Sequence, residues 1–216
     1  DFYAGEMNLE LFTSTAVNPN GIISSDKVDA SIADDIKRDA IIAVIVALLV
    51  IFIYIAIRFK KWTWGLGGTV GLAHTAIIVV GFFSIFSGIL PFSLDVDQSF
   101  IAAVLTIIGY AINDTVVIFD RIREYKTLHP KMPFDINANQ ALNSTLTRTM
   151  NTSLTTLIVM VAIAIFGGEV IRGMAVALCV GIAVGTYASI FIATPIMYDV
   201  TMYVQRRSEK KLAEKK

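Results

Sequence analysis

The segment SFIAAVLTIIGYAINDTVVIFDRI, residues 99–122, is long and apolar enough to cross a lipid bilayer as an α-helix. One carboxylic acid, Asp114, stands within it, and Asp120, Arg121 and Arg123 follow near its end. An ionisable group at membrane depth costs about 3 kcal/mol on insertion scales, so it usually faces a protein or water-filled interior and serves a purpose. Asp114 is therefore the first candidate for a functional site.

The rest of the chain is also strongly apolar. Of its 216 residues 55% are hydrophobic, and the mean hydropathy is +0.67. This composition predicts an all-α polytopic membrane protein with five transmembrane helices rather than a soluble domain with one anchor. The predicted spans cover approximately residues 39–58, 64–89, 98–122, 146–167 and 172–200. Five spans place the two ends of the chain on opposite sides of the membrane.

A net charge of zero hides an asymmetry that predicts the orientation. Most of the 18 Lys and Arg residues lie in the first loop, in or beside the third loop, and in the tail at residues 205–216. Positive loops stay in the cytoplasm, so these segments and the C-terminus should be cytoplasmic. The acidic residues concentrate on the opposite side, which should hold the N-terminus.

Residues 1–38 are predicted to be the C-terminal remnant of an external α+β domain, followed by the bundle at residues 39–204. Residues 8–17 alternate like a strand and precede an Asn-Pro-Asn-Gly turn signal. Residues 31–38 resemble a short helix with Ser31 as its N-cap. That helix would be either a rigid junction to the first span or an ordinary solvated connector.

Small residues recur at helical spacing on two predicted spans. Gly67 and Gly71 form one such stripe, and Gly181 and Gly185 lie on another with Ala177 and Ser189. Small side chains let helix backbones approach closely, so these stripes are expected to be buried contacts. They would serve either plain packing or a surface that slides during a conformational cycle.

Hydroxyl groups predict that one face of the fourth span points into the bundle. They recur at spacings of three and four residues, together with one cation. The members of this stripe are Thr145, Arg148 or Thr149, Thr152, and Thr155 or Thr156. Arg148 would be either an anchor at the membrane edge or the interior partner of Asp114. The second role is favoured because a carboxylate inside the bilayer needs a compensating charge.

Other polar residues in the spans are weaker candidates for the functional site. Asn113 and Tyr110 are close enough along the helix to orient Asp114, although structural hydrogen bonding is the alternative. His74 could join a proton path or simply bond a neighbouring helix. The single cysteine, Cys179, excludes an intrachain disulfide and a thiol metal cluster. We expect no metal, no cofactor and no catalytic residue.

An intramembrane aspartyl protease would need two aspartates on facing helices. Here Asp114 and Asp120 share one predicted helix and lie about 9 Å apart along its axis, from the rise of 1.5 Å per residue. The sequence therefore disfavours this enzyme class.

Two motifs resemble the SecF family, a subunit of the bacterial protein-export machinery within the RND transporter superfamily. Residues 108–124, IGYAINDTVVIFDRIRE, resemble the SecF signature span, and residues 146–156, LTRTMNTSLTT, resemble the segment that enters the following span. Residues 31–36 match as well. Two positions depart from the family pattern: Val-Asp-Ala at residues 28–30 replaces Val-Gly-Pro, and Thr75 stands where an acid after His74 is expected.

The resemblance implies half of a pseudo-symmetric RND bundle in the bacterial inner membrane that uses the proton-motive force to assist protein export. Asp114 and Arg148 would couple protons, with Asn113, Tyr110, Thr149 and Thr152 in support. Implied partners are SecD as a subunit or fused half, the SecYEG translocon, YajC-like subunits, unfolded preproteins, protons and membrane lipid, but no nucleic acid. A small-molecule RND exporter and a non-catalytic scaffold subunit remain the alternatives.

Overall fold

The computed structural model describes the backbone of residues 30–90, 92, 94 and 96–214, and side chains from residue 37 onward. The chain divides into two compact units, Asp1–Asp35 and Ile36–Lys216. The helices of the described part are α1 (Ala30–Arg58), α2 (Trp62–Phe86), α3 (Gln98–Leu128), α4 (Phe134–Phe166), α5 (Gly168–Ala188), a π-helix (Ser189–Ala193) and α6 (Thr194–Ala213). The predicted strand at residues 8–17 lies outside the described residues.

The predicted all-α class with five membrane-spanning helices is confirmed for the described part of the chain. Five helices are long and apolar enough to span a bilayer, and α5, the π-helix and α6 count together as the fifth. The span candidates are Lys37–Phe59, Trp62–Phe86, Gln98–Leu128, Phe134–Phe166 and Gly168–Ala213.

Helix boundaries differ from the sequence expectation at the starts of two helices, and α3 and α6 continue beyond their predicted spans to Leu128 and Ala213. The short helix predicted at residues 31–38 is the beginning of the continuous helix α1, which starts at Ala30, so Ser31 is not its N-cap. Helix α4 starts at Phe134 rather than near residue 146, because the polar segment before the apolar run is also helical. Periodic hydropathy locates the apolar part of a helix, but a polar extension carries no such signal.

Local chemistry explains the ends of the central helices. Asp97 is the N-cap of α3, and its side chain accepts a hydrogen bond of 2.8 Å from the backbone N–H of Phe100. Between α4 and α5 the chain turns at Gly168, whose φ of +76° is readily adopted only by glycine. Pro195 has no backbone N–H and so donates no hydrogen bond in the turn that follows the π-helix. The hydroxyl of Thr194 donates to the carbonyl oxygen of Ser189 at 2.9 Å.

Two apolar clusters form the core, one at each end of the bundle. Helix α3 contributes to both, with Phe100, Ile107 and Ile108 in the first cluster and Phe119 and Ile122 in the second. Helix α1 packs loosely, and only 6% of its apolar window is buried. Asp114 lies between the two clusters along α3, the helix on which both are built.

The glycine stripes lie at helix contacts. A Cβ atom on Gly67 would be 2.6 Å from the Cβ of Met197 and 2.7 Å from the carbonyl oxygen of Ala193. A Cβ on Gly185 would be 3.0 Å from the Cβ of Ala111 on α3. Two more contacts follow the same pattern, Gly71 with Ala193 and Gly181 with the side chain of Ile107.

Gly67→Ala should destabilise the bundle by about 1–3 kcal/mol, because the added methyl group meets backbone atoms that cannot rotate away. The measurement is the melting temperature of the purified protein. Gly81→Ala on the same helix is the control, since nothing lies within 4 Å of its added Cβ. There the better helix propensity of alanine should leave stability unchanged or raise it by about 1 kcal/mol. Equal melting temperatures for the two variants would contradict the close contact of α2 with α6.

Candidate functional site

Asp114 is buried on the inner face of α3, with 5% of the residue exposed. Its neighbours on that face, Ala111, Thr115 and Ile118, are also buried. The hydroxyl of Ser153 on α4 donates a hydrogen bond of 3.3 Å to Oδ2 of Asp114. The candidate site is therefore a carboxyl group inside the bundle whose direct partner is a neutral hydroxyl.

A second hydroxyl extends this contact to a third helix. Thr186 Oγ1 on α5 lies 2.6 Å from Ser153 Oγ and donates to it. The same oxygen lies 2.9 Å from the backbone carbonyl oxygen of Ile182. All three side chains are at least 90% buried, so Asp114, Ser153 and Thr186 link α3, α4 and α5 through the interior. Neither Ser153 nor Thr186 was among the predicted site residues.

The polar face of α4 has a different register from the predicted one. The buried positions Thr145, Thr149 and Ser153 are four residues apart, and this row faces the interior. Thr152, a predicted supporting residue, is partly buried and donates instead to the carbonyl oxygen of Arg148 at 2.9 Å. Thr155 is exposed. A row spaced by four residues throughout would have identified Ser153.

Thr149 is the predicted supporting residue with the most unusual environment. The residue is 2% exposed, and its Oγ1 has no hydrogen-bond partner within the described part of the chain. One turn towards the N-terminus, Thr145 lines a cavity, and one turn in the other direction Ser153 reaches Asp114. Thr149 therefore lies between the cavity and the buried carboxyl group.

Arg148 is exposed and does not pair directly with Asp114. Among the described residues no ion pair within 4.0 Å joins them, although the guanidinium is close enough to attract the carboxylate electrostatically. Arg148 lines a cavity of about 780 Å³ between α3 and α4. The other residues that line it are Val117, Asp120, Arg121, Arg123, Glu124, Thr127, Leu128, Ser144 and Thr145.

The remaining predicted polar residues make other contacts. The hydroxyl of Tyr110 donates to Thr156 Oγ1 at 3.3 Å. This bond joins α3 to α4 one helical turn before Asp114. Asn113 is exposed, and no hydrogen bond to Asp114 is found for it in the described structure. His74 is half-buried on α2, with its ring centroid 6.4 Å from that of Tyr187 and no described partner for its buried Nδ1. Among the described residues, none of these three side chains forms a hydrogen bond with the Asp114 carboxyl group.

Asp120 belongs to a group of charged residues that also lines the cavity. Its carboxylate pairs with Arg58 and with Arg123, each at 3.0 Å. Arg121, the next residue in the chain, pairs with Glu124 at 2.6 Å. The Arg58 pair joins positions 62 residues apart and holds the end of α1 against α3. Sequence reading had no local signal for this contact.

The hydroxyl group beside Asp114 can form a hydrogen bond with the carboxyl group in either of its protonation states. A hydroxyl group can either donate a hydrogen bond to a carboxylate or accept one from a carboxylic acid. Ser153 can therefore satisfy Asp114 in both forms, and the cavity beside Arg148 approaches the site from one end of the bundle. Within the described residues, no three His, Cys, Asp or Glu side chains lie close enough to hold a metal ion.

Comparison with known proteins gives a consistent set of matches. The family described as "Protein export membrane protein SecD/SecF, C-terminal" matches residues 10–203. Protein translocase subunit SecF of Rhodothermus marinus is 51% identical over 179 residues, which are 83% of this chain and 58% of the relative. Protein translocase subunit SecDF of Thermus thermophilus is 42% identical over 176 residues, 82% of this chain and 23% of the relative.

The structural match agrees with the sequence matches. A crystal structure of SecDF in its super-membrane-facing form superposes with a TM-score of 0.71 at 37% identity, covering 88% of this chain and 24% of that one. The present chain spans a little over half of the SecF relative and about a quarter of the SecDF relatives.

Asp120→Asn should have a small effect on stability, about 1 kcal/mol or less, because its side chain is 34% exposed and water screens both ion pairs. A double-mutant cycle with Arg58→Gln, read from melting temperatures converted to free energies, isolates the contact between α1 and α3. A coupling energy above about 3 kcal/mol would instead indicate a buried pair that depends on both charges.

Proposed function

Because this chain belongs to the SecD/SecF family of protein export membrane proteins, we propose that it is a SecF-like subunit of the bacterial Sec protein-export machinery. Its role would be to use the proton-motive force to assist the movement and release of exported proteins across the inner membrane. The observation that carries this proposal is the buried carboxyl group of Asp114 at the junction of α3, α4 and α5. The subunit would have no catalytic residue and no cofactor.

The coupling rests on a simple electrostatic exchange. Burial favours the neutral acid, whereas a nearby guanidinium favours the carboxylate. A helix movement that brings Arg148 nearer to Asp114 would expel the proton, and proton uptake would release Arg148 and permit the reverse movement. Linkage requires that two equilibria coupled in this way drive each other. Arg148 at the cavity, rather than in a fixed ion pair, supports such a mobile role.

The proposed partners are those that membership of the family suggests. We propose SecD as the complementary half, as a separate subunit or fused, because relatives occur both as SecF and as SecDF. The translocon SecYEG, YajC-like subunits and unfolded preproteins complete the proposed assembly. The concentration of Lys and Arg in alternate loops and in the tail supports a cytoplasmic C-terminus. The proposed role in protein export implies a location in the inner membrane.

Asp114→Asn is expected to leave the complex folded and assembled while abolishing the gradient-dependent part of protein export. The amide has nearly the same shape and can still bond Ser153, but it cannot take up a proton. Arg148→Ala should have the same effect, and Arg148→Lys should restore only part of the activity, since a point charge replaces a planar fork of donors. Export is measured in membrane vesicles with and without a proton gradient.

Asp120→Asn is the matched control on the same helix and should respond to the gradient like the parent. Should the Asp114→Asn complex also respond fully, proton coupling at Asp114 is wrong, and a scaffold subunit becomes the better description. An exporter of small molecules would be indicated if that variant lost gradient-driven transport of small molecules but not of proteins.

A topology experiment tests the orientation. A reporter placed at the C-terminus or in residues 125–133 should give a cytoplasmic signal, and one placed after Asp95 should give an external signal, because positive loops are retained inside. Labelling of residues 125–133 by a membrane-impermeant reagent in intact cells would overturn this arrangement.

A further inference from the structure

The hydroxyl of Thr186 has two acceptors within reach but only one hydrogen. Its Oγ1 lies 2.6 Å from Ser153 Oγ and 2.9 Å from the carbonyl oxygen of Ile182. This single hydrogen can point directly at only one of them at a time. Because Ser153 bonds Asp114, the acceptor that Thr186 uses depends on the protonation state of the carboxyl group.

With Asp114 ionised, all hydrogen bonds run towards the carboxylate. Ser153 donates to Oδ2 of Asp114, and Thr186 donates to Ser153. When Asp114 takes up a proton, the new O–H must donate, and Ser153 Oγ is the acceptor in reach. The Ser153 hydroxyl then turns to Thr186 Oγ1, and the Thr186 hydroxyl turns to the carbonyl oxygen of Ile182. One proton is added at Asp114, and every other proton stays bonded to the same oxygen atom. Each hydroxyl group has a hydrogen-bond partner in both states.

We propose that Ser153 and Thr186 form a reversible hydrogen-bond relay that reports the protonation state of Asp114 to the backbone of α5. This inference rests on the proposed function and deepens it. Thr186 does not touch Asp114 and is a positioning residue that acts through Ser153. The relay converts a charge change on α3 into a change in the hydrogen bonding of a neighbouring helix.

The position of the receiving carbonyl gives the relay a mechanical consequence. A threonine hydroxyl that bonds the carbonyl four residues earlier in a helix tends to bend that helix. Thr186 would add this bond to α5 only when Asp114 is protonated. The affected turn of α5 lies directly before the π-helix Ser189–Ala193. Segments of this type are rare and are frequently found at functional sites. Proton uptake would thereby alter the bend between α5 and α6.

Three substitutions test the relay in the complete export complex. Thr186→Val removes the hydroxyl and keeps the branched shape, whereas Thr186→Ser keeps the hydroxyl. Thr75→Val is the matched control, since Thr75 is fully buried and its hydroxyl donates to the carbonyl of Gly71 four residues earlier at 3.0 Å. Gradient-driven export in vesicles is one measurement. The other is the infrared carboxyl band of protonated Asp114, assigned by its loss in Asp114→Asn.

The relay predicts that Thr186→Val reduces gradient-driven export to the level seen without a gradient and shifts the Asp114 band. Thr186→Ser should retain export and the parent band, and Thr75→Val should alter neither. Full gradient-driven export by Thr186→Val overturns the relay, and so does lost export with an unshifted band. If Asp114→Asn itself keeps its gradient response, the proposed function fails. If only Thr186→Val keeps it, the relay alone fails.

Discussion

The structure depends on keeping one ionisable group in an apolar interior. Asp114 lies between two hydrophobic clusters, where an unpartnered polar group is costly, and few neutral side chains can satisfy both forms of a carboxyl group. A fixed ion pair would favour the carboxylate and resist protonation. The Ser153 hydroxyl can bond either form, while Arg148 lines the cavity and forms no ion pair with Asp114 among the described residues. The site therefore retains the freedom to change its charge.

Close helix packing makes that hydrogen-bonded site possible. The hydroxyls of serine and threonine are short, so the backbones of α3, α4 and α5 must approach closely for Ser153 and Thr186 to reach one another. Gly181 and Gly185 provide the approach of α5 to α3, because a side chain on either would collide with Ile107 or press on Ala111 of α3. The same arrangement of helices therefore depends on the small residues Gly181 and Gly185 and on the hydrogen bonds among Asp114, Ser153 and Thr186.

The sequence predicted the elements of this site better than its contacts. Five spans follow from hydropathy, and Asp114 is conspicuous because no other acid lies so deep in an apolar run. Thr186 was missed because a hydroxyl among apolar residues carries little signal until the helices that it joins are known. Ser153 was missed because it stands among several other polar residues and the predicted stripe used Thr152 and Thr155 or Thr156 instead. The register of α4 was predictable in principle, since a spacing of four residues selects Thr145, Thr149 and Ser153. The Arg58 pair with Asp120 joins distant positions and has no local signature.

The central claim is that the carboxyl group of Asp114 gains and loses a proton as the protein works. The most direct test is infrared difference spectroscopy of vesicles that contain the complete complex while a proton gradient is imposed and then collapsed. A carboxyl band that appears and disappears with the gradient, and is absent in Asp114→Asn, is the predicted result. A spectrum in which the Asp114 carboxyl group keeps a single protonation state throughout would contradict the account.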